Sequence, residues 1–228
     1  MRDSTVQLEG PRLSVRFSRP HRLLSHAVLR PGFVEADAVA WLQVRDEELA
    51  PPVDPVRLLA DRLAEAGLTD AVGLLTSAEL AGFVEVERAV GGFSVRTVAT
   101  VGLDNARRAG DDWDVAPPAV GTINVLVLAS APVADAALVE MLAVAAEARA
   151  MAVLEGGVPS RRSGRPATGT GTDCTVVGAP CGVPITEYAG KHTALGHLVG
   201  GTVAEAVGRG VAAWLERHPS RRAAGHAS

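Results

Sequence analysis

Two alternating runs joined by a glycine pair set the first constraint on this chain. Residues 84–90, Val-Glu-Val-Glu-Arg-Ala-Val, and 93–101, Phe-Ser-Val-Arg-Thr-Val-Ala-Thr-Val, each repeat with period two, and Gly91-Gly92 lies between them. That pattern predicts a β-hairpin with one apolar face. Shorter strand signals surround it: an alternating run at 13–17 and apolar runs at 38–44, 71–76, 122–128 and 174–178. Strands gathered in pairs, rather than alternating strictly with helices, predict a single α+β domain whose mixed or mainly antiparallel sheet is covered by two or three helices.

Three segments carry helical signals. Asp54 stands as an N-cap before Pro55, Val56, Leu59, Leu63 and Ala66 form one stripe, and Gly67 follows as the stop, so an amphipathic helix is expected there. Residues 132–155 are alanine-rich and apolar nearly all round, which predicts a buried helix with Glu147 as its anomaly. The last helix spans about 194–217. It holds Gly196, Gly200, Gly201, Gly208 and Gly210, each costing about 1 kcal/mol relative to alanine, so close packing within or between subunits must compensate. The latter option leaves room for a homo-oligomer.

Between these elements, 77–79 make a polar elbow able to start a short helix, 104–118 predict an exposed loop, and 156–166 a mobile one. The domain is expected over residues 1–218, with 219–228 a disordered tail. No internal repeat is present.

With 47% apolar and 21% charged residues over 228 positions, the chain can bury one sizeable core. No run approaches the roughly 20 apolar residues of a membrane span, and the first five residues lack the apolar core of a signal peptide, so the cytoplasm is the expected compartment. A net charge of −4 with scattered arginines argues against a nucleic-acid partner and for a small molecule. Cys174 and Cys181, with six residues between them, have neither redox nor zinc spacing and are expected to be buried thiols.

Site chemistry concentrates in two stretches, Ala167-Thr-Gly-Thr-Gly-Thr-Asp173 and Tyr188-Ala-Gly-Lys-His-Thr-Ala-Leu-Gly196. Gly169 and Gly171 let a ligand approach the backbone, whose successive N–H groups can form an anion-binding concavity; a flexible turn into the next strand is the plainer alternative. No P-loop lysine follows, so a nucleotide site of that type is disfavoured. Asp173 can orient a histidine, act as a base or cap a turn. His192 belongs to the residue type that takes and returns protons near neutral pH, although a histidine at a helix start is also a common surface residue. Lys191 is the only lysine in the sequence. It reads either as chance in an arginine-biased chain or as a compact ammonium that guanidinium does not mimic. Glu147 faces water or an ion pair with a nearby arginine, and Asn105 and Asn124 can bind a carbonyl or serve a turn and a strand end. No metal-ligand spacing is present.

Taken in order, Thr76-Ser-Ala78, Thr100-Val-Gly-Leu-Asp-Asn-Ala106, Gly121-Thr-Ile-Asn124, Glu147-Ala-Arg149 and the two stretches above resemble the adenosylcobinamide amidohydrolase family over roughly residues 35–215. The resemblance implies hydrolysis of the amide between the corrinoid side chain and aminopropanol, giving adenosylcobyric acid in cobamide salvage. The cobalt then belongs to the substrate, with no separate cofactor. Serine is expected more often at Asp104 and lysine at Arg149; these departures bear on substrate preference and leave the glycine-threonine motif untouched. Under this reading His192, oriented by Asp173, is base and acid, with Lys191 beside it, and N–H groups around Gly169 and Gly171 hold the oxyanion. Water is preferred over Thr170 or Thr172 as nucleophile, because neither threonine has a chain-start amine to activate it. Asn105, Asn124, Tyr188, Glu147 and Thr76 complete the substrate-binding set. A corrinoid-binding protein without catalysis is the alternative, and a nucleotide-binding domain a third reading.

Overall fold

The computed structural model describes residues 4–113 and 121–221. Its ten strands are β1 (Ser4–Glu9), β2 (Arg12–Ser25), β3 (Gly32–Gln43), β4 (Val72–Thr76), β5 (Val84–Val90), β6 (Phe93–Val101), β7 (Ala106–Arg107), β8 (Ile123–Ala129), β9 (Gly169–Thr170) and β10 (Cys174–Pro180). The helices are α1 (Pro55–Glu65), α2 (Asp135–Glu155) and α3 (Ala194–Arg217). Eight strands make one mixed sheet in the order β4-β3-β2-β10-β8-β6-β5, with β1 paired to β2; β7 and β9 form a separate two-stranded ribbon.

The sheet curls so that its two halves share an interior. Val39 and Trp41 of β3, Leu13 and Val15 of β2, Val98 of β6, Leu126 of β8 and Val176 of β10 join one buried cluster. The alternate residues of each strand face outward onto helices, as period two requires. Ala38, Ala40 and Leu42 of β3 pack on Leu59 and Leu63 of α1, while Val125, Val127 and Val177 pack under α2 and α3. Curling also brings β4 against β8, four places away in the sheet: Asn124 Nδ2 donates to Leu75 O (2.8 Å).

Local chemistry explains the best-predicted elements. The Asp54 side chain accepts from the Val56 and Arg57 N–H groups, a cap worth about 1 kcal/mol. Leu59 and Leu63 are fully buried, each contributing about 1.5–3 kcal/mol. The hairpin forms as expected from 84 to 101. Its second strand differs, because β6 is buried on both faces from Val95 onward, with the interior on one side and α3 on the other.

Other expectations are corrected. The strand begun at 13–17 continues to Ser25 through a register shift between Arg16 and His21, where Arg19-Pro20 breaks the alternation. The loop from 104 is not all exposed: Asn105 and Ala106 are buried, and β7 pairs with β9. Its part from 114 to 118 lies outside the described residues. The 156–166 loop is tied down by bonds from Arg161 N to Ala106 O (2.9 Å) and Ala167 N to Val158 O (2.9 Å). Pro219–Arg221 form a short turn, and 222–228 lie outside the described residues. Both thiols are free; Cys174 is buried and Cys181 only half-buried. Among the described residues no helix is long and apolar enough to cross a membrane.

Candidate active site

The glycine-threonine stretch enters the fold as β9, turns at 171–172 and meets β10 at Asp173. The Asp173 side chain is only 6% exposed, and Arg149 of α2 brings Nε to 3.4 Å from Oδ2. Oδ1 accepts from the Thr170 hydroxyl (2.5 Å) and from Ile123 N (3.1 Å), and Oδ2 accepts from Thr170 N (2.9 Å). Three hydrogen bonds thus reach the carboxylate, while Arg149 Nε pairs with it by charge and makes no hydrogen bond among the described residues. Gly169 is required by this arrangement, because a Cβ there would stand 2.2 Å from Asp173 Oδ2.

Around this carboxylate the strand ends gather hydroxyls and amides. Thr172 Oγ1 accepts from Asn105 Nδ2 (3.3 Å) and donates to Gly121 O (3.0 Å). Thr122 Oγ1 donates to Thr172 O (2.8 Å). Register places Cys174, Asn124 and Thr100 in one row across β10, β8 and β6. Thr76, fully buried, accepts from Ala78 N (3.0 Å) beside the Leu75 carbonyl that Asn124 holds. Thr170, Thr172, Asp173, Gly169, Gly171, Asn105, Asn124 and Thr76 therefore belong to one neighbourhood.

Four predicted residues do not join it. Lys191 Nζ pairs with Glu147 Oε2 (2.6 Å), both well exposed, so the partner of Glu147 is this lysine and not an arginine. The pair borders a groove of about 360 Å³ between α2 and α3, lined by Val144, Ala148, Met151 and His197 among others. Tyr188 is 63% exposed. His192 is exposed and has no hydrogen bond or ion pair among the described residues. Asp173 does not orient His192: it accepts from Thr170 and Ile123 and pairs by charge with Arg149, and no bond joins it to His192. In the expected nest, Thr170 N donates to Asp173 and Thr172 N approaches Thr170 Oγ1 at 3.4 Å.

The histidine near Asp173 is His26, just past β2. Its Nε2 accepts from Thr175 N (3.3 Å), and its carbonyl faces Cys174 Sγ at 3.5 Å. Burial and the Arg149 guanidinium hold its pKa below the ordinary histidine value, against an opposing pull from Asp173. Burial likewise pushes the Cys174 thiol up to about 11, so it stays protonated near neutrality. Arg149, named from sequence only as a departure, is the cation of this centre and also reaches Thr175 Oγ1 (3.4 Å). That departure therefore does touch the glycine-threonine motif. His26 had no sequence signal; Gly121 and Thr122 did, through the Gly-Thr-Ile-Asn segment.

The profile of the adenosylcobinamide amidohydrolase family matches residues 2–219. The chain belongs to this family. The adenosylcobinamide amidohydrolase of Halobacterium salinarum is 34% identical over 188 residues, covering 77% of this chain and 74% of that one. Among solved structures, a Burkholderia sp. beta-aminopeptidase is similar at TM-score 0.41 and 13% identity, covering 93% of this chain and 82% of its own. The L-aminopeptidase D-Ala-esterase/amidase of Ochrobactrum anthropi, described as a variant among the Ntn-hydrolase fold, is similar at TM-score 0.40 and 14% identity, covering 91% and 82%. As a member of the amidohydrolase family, the chain is a hydrolase of corrinoid salvage.

Proposed function

We propose that this amidohydrolase cleaves the aminopropanol amide of adenosylcobinamide at the Thr170–Asp173 pair. One observation carries the reading: the Thr170 hydroxyl donates to a buried carboxylate that also accepts from Ile123 N and Thr170 N and pairs by charge with Arg149. Among the groups around Asp173, the Thr170 hydroxyl is the one whose proton is already directed at the carboxylate. The preference therefore moves from water to Thr170 as nucleophile.

In this reading Asp173 takes the proton as Thr170 Oγ1 attacks the amide carbon. The N–H of Gly171, in the turn between β9 and β10, accommodates the developing oxyanion. The carbon-nitrogen bond breaks, and Asp173 returns the proton to the nitrogen of departing aminopropanol. Water then attacks the Thr170 ester, giving its proton through Asp173 back to Thr170 and releasing adenosylcobyric acid. Cobalt arrives within the substrate, and the scheme uses no metal or cofactor of the protein's own, no nucleic acid and no second copy of the chain. The proposed compartment is the cytoplasm.

The test is turnover of adenosylcobinamide by pure protein, with adenosylcobyric acid read by mass spectrometry. Asp173→Asn is expected to lose about 10²–10⁴ in kcat, and His192→Ala to stay within about threefold of wild type. A His192→Ala variant as impaired as Asp173→Asn would return the catalytic role to His192.

A further inference from the structure

We infer that the turn at residues 103–106 is a subsite for a primary carboxamide, and that it holds one of the amide side chains at the corrin periphery away from the reacting bond. The inference rests on adenosylcobinamide being the substrate, as proposed above, but not on which group is the nucleophile.

The turn is closed by Ala106 N donating to Leu103 O (3.1 Å), which leaves the N–H groups of Asp104 and Asn105 without a partner among the described residues. Both lie against Gly121. The point where a Cβ of Gly121 would stand is 2.8 Å from Asp104 N, 3.0 Å from Asn105 N and 3.2 Å from Asn105 Oδ1. Asn105 is only 4% exposed, and its Oδ1 has no hydrogen-bond partner. The orientation of that side-chain amide follows from its other end. Thr172 Oγ1 already donates to Gly121 O, so it needs a donor opposite it, and Asn105 Nδ2 supplies one at 3.3 Å. Oδ1 must then face the turn.

Two donors and one buried acceptor thus converge beside a glycine whose missing side chain keeps the approach open. A primary carboxamide is the complement. Its carbonyl oxygen has two lone pairs for the two N–H groups, and the N–H on the same edge reaches Asn105 Oδ1. The trans secondary amide that is cleaved points its N–H away from its oxygen, so it cannot meet all three groups at once. A carboxylate fails differently, since it leaves Oδ1 facing a second acceptor. Leaving a buried acceptor unpaired is the costly side of hydrogen bonding, so the subsite selects amidated corrinoids over acid forms.

The experiment follows the backbone amide signals of Asp104 and Asn105 by nuclear magnetic resonance, in a Thr170→Ala protein titrated with adenosylcobinamide. Both signals are expected to shift. They should shift much less with a corrinoid whose peripheral carboxamides have been hydrolysed to carboxylates. In the otherwise wild-type enzyme, Gly121→Ala is expected to raise KM about tenfold or more with kcat within about threefold. Signals that stay unchanged at saturating adenosylcobinamide would mean that the turn holds only a structural water, and would overturn the subsite. A loss confined to kcat would overturn it too, by placing the reacting carbonyl there. Unimpaired turnover by Thr170→Ala, with the two signals still shifting, would remove the nucleophile and leave the subsite standing.

Discussion

Gly169 shows how far single residues determine this centre. Its missing side chain leaves the space that the Asp173 carboxylate occupies, so Gly169→Ala must push a Cβ into Oδ2, 2.2 Å away. Because Asp173 is fixed by Thr170, Ile123 and Arg149, it cannot give way without losing a partner. Gly169→Ala is therefore expected to lower kcat at least about tenfold with the fold retained, measured by turnover alongside circular dichroism. The density of glycine, hydroxyl and carboxylate in residues 167–173 made this part of the site legible in the sequence. His26 was not legible, since its bond to Thr175 N joins positions 149 apart and no local pattern encodes such a contact. His192 misled for the converse reason: its neighbours in sequence look catalytic, but its place in space is an exposed helix start.

At the scale of elements, α3 gives the sharpest contrast. A Cβ on Gly196 would stand 2.1 Å from Gly190 O and 2.3 Å from Ala189 O, both backbone atoms, and one on Gly210 would stand 2.5 Å from Val101 Cγ2. These glycines allow close packing inside the chain, which answers the choice between contacts within and between subunits for those two positions. Gly208 has nothing within 4 Å of its Cβ position, and nothing in the structure explains it. Gly208→Ala is expected to stabilise the protein by up to about 1 kcal/mol through helix propensity alone. Gly196→Ala should lower the melting temperature, and paired thermal melts of the two variants check both signs. Elements with strong periodicity and caps, such as α1 and the hairpin, were readable because their signals are local. The continuation of β2 past Arg16 was not, because its pairing with β3 shifts register and its pairing with β10 is distant in sequence.

For the whole molecule, acid stability follows from two groups held away from their ordinary pKa values. His26 is held low in the folded state by burial and by Arg149. As pH falls below about 6.5 the unfolded chain takes up the proton first, and stability declines until the folded-state value is reached. His26→Gln keeps an acceptor for Thr175 N but does not titrate, so its denaturation midpoint should change less between pH 7 and pH 5 than that of wild type. Asp111 behaves in the carboxylate sense. Hydrogen bonds from Ser160 and Ser163 lower it from 3.8 to about 2, so its contribution is present above 3.8 and is lost as pH falls through about 2. An acid limb identical in wild type and His26→Gln would mean that His26 does not govern the first loss. Curling of the sheet, the feature least visible in sequence, is what brings β4, β8 and β10 together around Asp173 and so makes one centre from segments far apart in the chain. The claim at that centre is that Thr170 attacks the amide, and the direct measurement is the kcat for adenosylcobyric acid formation by Thr170→Ala and Thr170→Ser, both verified as folded. The account predicts a loss of about 10³-fold or more for alanine and substantial retention for serine; a Thr170→Ala enzyme within about tenfold of wild type would contradict it.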